Sequence, residues 1–396
     1  MMKRIWSFLL LPFAICLSAA EEIPFLSQNV EIDGKPGDPG WKNALRVEKF
    51  NLSRGDSRWK TTGLIGRTKT HLCVAIFADY DDPSKVNNSF SGHDHEIYLD
   101  DAIEAFIDSE GTGLNYYHVI ANLKGAVYDV HRTTTGQDYS WTSGAKAKGS
   151  FPNPKQIYWE MTIPICGLNP AKNKNGEIAL AICRCIPHLT SDQISSGRFH
   201  EPATWPRFKL TGDYPLEQVA TKTSRFFGRQ NLNVRVKNVA NQSRVFYSFF
   251  NGKKAENFTL PAGKEKDLEF GVYQKFGEES EYTLILKNEK GNEVFRHVYL
   301  FVPAFDQLFG IKTVSDIIYA NEPLLLQIEI RETPEAPFKI SIEDKAGKTL
   351  AEHTLKLKKM KSVVPITIPA GGALLKCTYK ETSTSRYVQA VPSPWE

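Results

Sequence analysis

The motifs that mark common enzymes are missing from this 396-residue chain. There is no Gly-x-Ser-x-Gly elbow, no His-Glu-x-x-His helix and no Gly-rich phosphate loop, which removes the commonest hydrolase, metalloprotease and nucleotide-binding readings. Charge of one sign is not in excess either. Lys and Arg number 49 against 45 Asp and Glu, a formal +4 that falls to +2 without Lys3 and Arg4. Nucleic acid binding needs concentrated positive charge, so it is not expected here. Cysteine is sparse: six residues, of which Cys16 lies in the leader, leaving an odd five in a long chain. That excludes a disulfide scaffold. Cys183 and Cys185 share one face of a strand by alternation, but no Cys or His pair at matching spacing completes a metal site. Buried thiols are the expectation.

The one long apolar run is at the start. Lys3 and Arg4 precede Ile5 to Leu17, apolar apart from Ser7, and Ser18, Ala19 and Ala20 supply small residues for a peptidase. These are the three parts of a secretory signal, with the mature chain beginning at Glu21. The run is shorter than the roughly 20 residues a membrane span requires. Ile15 is too bulky for lipoprotein processing at Cys16. No later stretch is apolar enough to cross a bilayer, so the expected location is extracellular or periplasmic.

What the chain does contain is strand. Leu72, Val74 and Ile76 alternate with Cys73, Ala75 and Phe77, and Ile178, Leu180 and Ile182 with Ala179, Ala181 and Cys183. Both patterns are apolar on both faces, as in a strand covered on two sides. Later runs are half-buried: Leu232, Val234 and Val236 against Asn233, Arg235 and Lys237, then Leu324, Leu326, Ile328 and Ile330 against Gln327, Glu329 and Arg331. Turn pairs such as Asp33-Gly34, Asn251-Gly252 and Ala346-Gly347 separate them. Long amphipathic helices are absent. The predicted fold class is all-β: an antiparallel β-sandwich over 21–212, then two smaller immunoglobulin-like β-sandwiches over 219–302 and 305–396. The end, Pro392 to Glu396, reads as a linker, so a catalytic domain beyond it is a further expectation.

The first segment carries an ordered set of motifs. Ile32-Asp33-Gly34 is followed by Asp38-Pro39-Gly40-Trp41, then by Ala78 to Pro83 at a strand end. Asp101-Ala102-Ile103-Glu104-Ala105-Phe106-Ile107-Asp108 precedes Tyr117-His118-Val119-Ile120-Ala121-Asn122, with Gly125 and Asp129 beyond. Trp159-Glu160-Met161-Thr162-Ile163-Pro164, Arg184 and Phe199-His200-Glu201-Pro202 complete the set. In order and spacing it resembles the family 9 carbohydrate-binding modules and related DOMON-like sandwiches. The resemblance covers about half the chain.

The resemblance implies a sandwich that holds a sugar between two aromatic side chains. Carried over by position, these are Tyr98 and Phe199, where well-known members have Trp. Glu104 and Asn122 match polar residues that hydrogen-bond sugar hydroxyls, and Ile120 stands where the family has Arg. The chemistry suits a pyranose: a ring covers its C–H face, while a carboxylate or amide meets its hydroxyl rim. The smaller rings predict modest affinity, with Trp141, Tyr116 and His200 as candidates for extra contacts. Trp41 and Trp159 are expected in the core.

Other readings start from other residues. Asp100 and Glu104 share a strand face, but four residues span roughly 13 Å, too far for a glycosidase pair. Haem held by Met161 with His118 or His131 would follow the haem-carrying DOMON-like sandwiches. Oxygen-rich loops at Asp79 to Asp82 and His93 to Glu96 suit a structural calcium, which related modules hold; no other cofactor is expected. The expected partner is a saccharide or polysaccharide, with a glycoside hydrolase as a further partner. The alternatives are a structural or adhesive surface protein without sugar binding, and the accessory part of a larger glycoside-hydrolase-type protein.

Overall fold

A computed structural model describes residues 20–394 apart from 55–58, 81, 140, 174–175, 189, 224–225, 302–306 and 316. The signal at 1–20 therefore lies outside the described residues except for Ala20. The protein is all-β, and among the described residues no helix is long and apolar enough to cross a membrane. It divides into two compact units.

The first unit contains β1 (Glu21–Glu22), β2 (Leu45–Val47), β3 (Asn51–Arg54), β4 (Thr61–Arg67), β5 (His71–Asp79), β6 (Ala102–Asp108), β7 (Tyr116–Asn122), β8 (Val127–Thr133) and β9 (Gly136–Asp138). Next come β10 (Lys146–Asn153), β11 (Gln156–Pro164), β12 (Glu177–Ile186), β13 (Thr190–Gln193) and β14 (Arg207–Lys209). One sheet runs β1-β14-β12-β6-β7-β8-β9, with β13 and β3 continuing from β12; the other runs β10-β11-β5-β4-β2. Ile103, Ala105, Ile107, Leu180 and Ile182 from the first sheet and Val74, Ile76 and Trp159 from the second are wholly buried. Each large apolar side chain so placed contributes about 1.5–3 kcal/mol. At Gly63 on β4 a Cβ would stand 2.6 Å from the end of the Ile182 side chain, so glycine lets that side chain pack without shifting.

Both faces of β5 and β12 are covered, which is why their sequences are apolar throughout. The outer side of β5, at Cys73 and Ala75, packs under Leu26 and Trp41 from the N-terminal segment. The outer side of β12, at Ala179, Ala181 and Cys183, packs under Trp205 and Phe199. The early motifs are the fastenings of this cover. Glu160 on β11 accepts the amides of Asp33 (2.9 Å) and Gly34 (2.6 Å) and the hydroxyl of Tyr158 (2.8 Å). Asp38 accepts from Gly40 and Glu31, starting the short turn that places Trp41. Inside the sandwich Arg184 pairs with Asp192 at 2.6 Å, and Thr61 donates to the same carboxylate at 2.7 Å.

The second unit holds two sandwiches of one topology. β15 (Leu216–Lys222), β16 (Gly228–Asn238), β17 (Arg244–Phe250), β18 (Lys253–Leu260), β19 (Glu265–Gln274), β20 (Ser280–Lys287) and β21 (Glu293–Phe301) form the sheets β15-β16-β19 and β18-β17-β20-β21. β22 (Phe309–Thr313), β23 (Pro323–Ile330), β24 (Phe338–Glu343), β25 (Thr349–Leu355), β26 (Lys361–Thr367), β27 (Ala373–Tyr379) and β28 (Thr382–Val388) form β22-β23-β26 and β25-β24-β27-β28. In each, the fourth strand pairs with the third, whereas the constant-type immunoglobulin domain places it beside the fifth. The alternating patterns point inward as expected: Leu232, Val234 and Val236 are buried, as are Leu324, Leu326, Ile328 and Ile330.

The contiguous first segment expected over 21–212 is corrected at two places. Residues 141–145 and 163–171 belong to the second unit. Cys166 lies in its core with Phe295 and Tyr299, and Asn169 exchanges hydrogen bonds with the backbone of Gln218 at 2.9 and 3.2 Å. Cys73, Cys166, Cys183 and Cys377 are buried and free, and Cys185 is half-buried and free.

Candidate functional site

The outer face of the nine-stranded sheet is where polar chemistry collects. Alternation turns Glu104 and Phe106 of β6 outward, and register aligns their neighbours. Cys183, Glu104, Ile120 and Tyr128 form one row across four strands. Ala181, Phe106, His118 and Val130 form the next, and Tyr116, Arg132 and Gln137 a third. The floor of this face is a diagonal pair: Glu104 Oε2 lies 2.8 Å from His118 Nε2, both groups buried. The His118 ring stacks on Phe106 at 3.9 Å, while its Nδ1 has no hydrogen-bond partner.

One aromatic wall stands over β6. Phe199 lies nearly parallel to Phe106 with ring centres 5.9 Å apart, and Trp205 tilts against the same ring at 5.6 Å. His200 meets Phe106 edge-on at 5.2 Å, and its Nδ1 lies 2.8 Å from the Tyr116 hydroxyl. Although its outer edge reaches solvent, His200 is pushed down to about 4 by burial of the ring, with the neighbouring His118 and Arg132 adding to the effect. It is therefore a neutral imidazole at pH 7. Burial also raises the Tyr116 phenol.

The opposite wall is built of tyrosines over β8. Tyr98, on the short turn Ile97–Leu99, is 44% exposed and meets Tyr128 edge-on at 5.9 Å. Its hydroxyl donates to Glu96 at 3.2 Å. Burial raises both phenols, with the Glu96 carboxylate adding to the effect at Tyr98 and the charge of Tyr139 at Tyr128. The walls rest on β6 and β8, two strands apart, or roughly 10 Å at sheet spacing.

Of the residues expected from sequence, Tyr98, Glu104, Tyr116, Phe199 and His200 are brought to this one face. Asn122 and Trp141 are not, and both expectations are corrected. Asn122 is fully buried; its Nδ2 donates to Phe90 O and to Asp100, each at 2.8 Å, and its Oδ1 accepts from Ala126 at 3.0 Å. This leaves no group for a ligand, because the side chain shapes the β7–β8 hairpin. Gly125 completes that hairpin at φ +90°, where a Cβ would stand 2.3 Å from Ala147 O. Trp141 lies in the second unit, its indole donating to Gly167 O at 3.1 Å. His118, Tyr128, Arg132, Tyr139 and Trp205 were not among the expected site residues.

The rival chemistries fare differently. Asp100 is fully buried and accepts from Ser89 (2.9 Å), Phe90 (3.1 Å) and Asn122, while Glu104 is bound to His118, so the two are not a free carboxylate pair. For haem, Met161 is wholly buried on β11 at a position alternate to Glu160, whereas His118 faces outward in its pair with Glu104, and His131 stacks on Tyr117 at 4.2 Å. For calcium, Asp81 lies outside the described residues, Asp82 accepts from Ser84 at 3.0 and 2.7 Å, and among the described residues no three His, Cys, Asp or Glu side chains group as metal ligands.

No protein-family model matches the chain, and no curated protein matches it. Among solved structures, it is similar to a family 9 carbohydrate-binding module from Caldicellulosiruptor kristjanssonii in complex with cellotriose. That likeness has 14% identity, covers 48% of this chain and 93% of the other, and has a TM-score of 0.34. The same kind of module from that organism in complex with glucose matches at 14% identity over 48% and 95%, with a TM-score of 0.33. Similarity of this degree adds no weight to a ligand, so the functional reading rests on the face itself.

Proposed function

We propose that the protein binds a saccharide without cleaving it, on the outer face of β6, β7 and β8. The observation that carries this reading is the pair of aromatic walls flanking a polar floor. Tyr98 with Tyr128 stands on one side, Phe199 with Trp205 on the other, and Glu104 with His118 lies between them. Aromatic faces cover the C–H surfaces of a pyranose, and the remaining carboxylate oxygen and the neutral His200 imidazole meet its hydroxyls. The carboxylates of this face are held in hydrogen bonds, which suits recognition more than acid–base work. Burial of few atoms sets an affinity in the micromolar to millimolar range.

Secretion follows from the leader, and the two sandwiches of the second unit act as spacers or as a docking surface, a glycoside hydrolase being one such partner. The purified full-length mature chain, screened on a glycan array beside Tyr98→Ala, tests the proposal. Wild type retains a set of glycans that the variant loses. A blank array for the folded wild type, or identical binding by the variant, refutes the site.

A further inference from the structure

Arg132 is the cation the proposed saccharide reading does not use. It lies on β8 between Tyr116 of β7 and Gln137 of β9, and its charge is felt at Tyr116, Tyr128 and His200. The guanidinium therefore borders the face between the two aromatic walls. Its Nε is buried without a hydrogen-bond partner, and among the described residues no carboxylate pairs with it. Two acidic groups near this face are already engaged, Glu104 by His118 and Glu96 by the Tyr98 hydroxyl. A half-buried arginine with no carboxylate partner is a charge that the folded chain leaves unmatched. An anionic ligand supplies the missing partner.

We infer, resting on the saccharide reading, that the ligand is an acidic sugar whose carboxylate seats on Arg132 while its ring lies between Tyr98 and Phe199. The planar guanidinium fork matches a carboxylate with two parallel N–H···O bonds, which a neutral hydroxymethyl group at the same ring position cannot make. The neutral imidazole of His200 adds no competing positive charge, so Arg132 alone sets the preference for an anion. A uronic acid unit within an oligosaccharide supplies this chemistry; a sulfated sugar supplies a different anion to the same cation.

Calorimetric titration of the full-length mature chain with tetragalacturonate, cellotetraose and a sulfated tetrasaccharide tests the inference, alongside Arg132→Gln and Arg132→Lys. Wild type should bind tetragalacturonate at least tenfold more tightly than cellotetraose, and raising NaCl should narrow the gap. Arg132→Gln should bring the ratio close to one, and Arg132→Lys should restore part of it, showing that charge at this position is what discriminates. A stronger response to the sulfated sugar than to tetragalacturonate overturns the carboxylate assignment. An unchanged ratio in Arg132→Gln, or a wild-type preference for cellotetraose, overturns the role of Arg132 and leaves the saccharide reading standing. No binding of any of the three, with a negative glycan array, removes both.

Discussion

Removing the Asp100 carboxylate should damage both the stability of the first unit and its ligand site. Asp100 is fully buried and accepts from Ser89 N, Phe90 N and Asn122 Nδ2, while the next residue, Asp101, donates its amide to Asn87 O at 2.8 Å. These bonds tie 87–101, the segment that carries Tyr98, to the β7–β8 hairpin. Asp100→Ala leaves two backbone amides and one carboxamide hydrogen without an acceptor. Bonds to a charged group are each worth about 1.5–3 kcal/mol, and some donors will find water, so a net loss of about 3 kcal/mol is expected. For a domain of this size that lowers the melting temperature by roughly 6–12 °C. Asp100→Asn keeps one acceptor and should lose about half as much. Urea denaturation followed by fluorescence reads the stability, and titration of the saccharide reads the site. Saccharide affinity should fall in Asp100→Ala as far as in Tyr98→Ala, although Asp100 itself is out of reach of solvent. A stability change below about 0.5 kcal/mol would show that the segment is held by something else.

Two further outcomes follow from buried charge. Asp192→Ala leaves Arg184 unpaired inside the first unit and should cost about 3–5 kcal/mol, whereas Arg184→Met with Asp192→Leu should recover most of that; equal losses in both variants would contradict the pairing. In the second unit His297 is wholly buried and pushed down to about 4 by burial. The unfolded chain binds a proton there below about 6.5 and the folded chain does not, so stability rises with pH from about 4 to about 6.5, by about 3 kcal/mol. His297→Gln should flatten that slope, and an identical pH profile in the variant would refute the assignment.

The strands were legible because burial leaves a period in the sequence. The doubly apolar β5 and β12 are covered on two faces, and the alternating β16 and β23 on one. Tyr98, Glu104 and Phe199 were reached through motif positions, Tyr116 and His200 only through nearness in sequence, and all five lie on one face. Asn122 misled because an amide at a strand end suits a ligand and a hairpin equally, and only its three bonds decide. Trp141 misled because nearness in sequence says nothing about which unit a segment joins. Tyr128 and Arg132 were within reach: Gly125 marks the hairpin, and counting back from it pairs residue 128 with 120 and 132 with 116.

The two walls are tested most directly by a calorimetric double-mutant cycle. Tyr98→Ala and Phe199→Ala are titrated singly and together with a saccharide that the array identifies. Loss of one stacking ring is worth about 1.5 kcal/mol, so each single variant should bind roughly tenfold more weakly, with Tyr98→Ala keeping the wild-type melting temperature. The same dissociation constant in wild type and both single variants would contradict a sugar held between these rings.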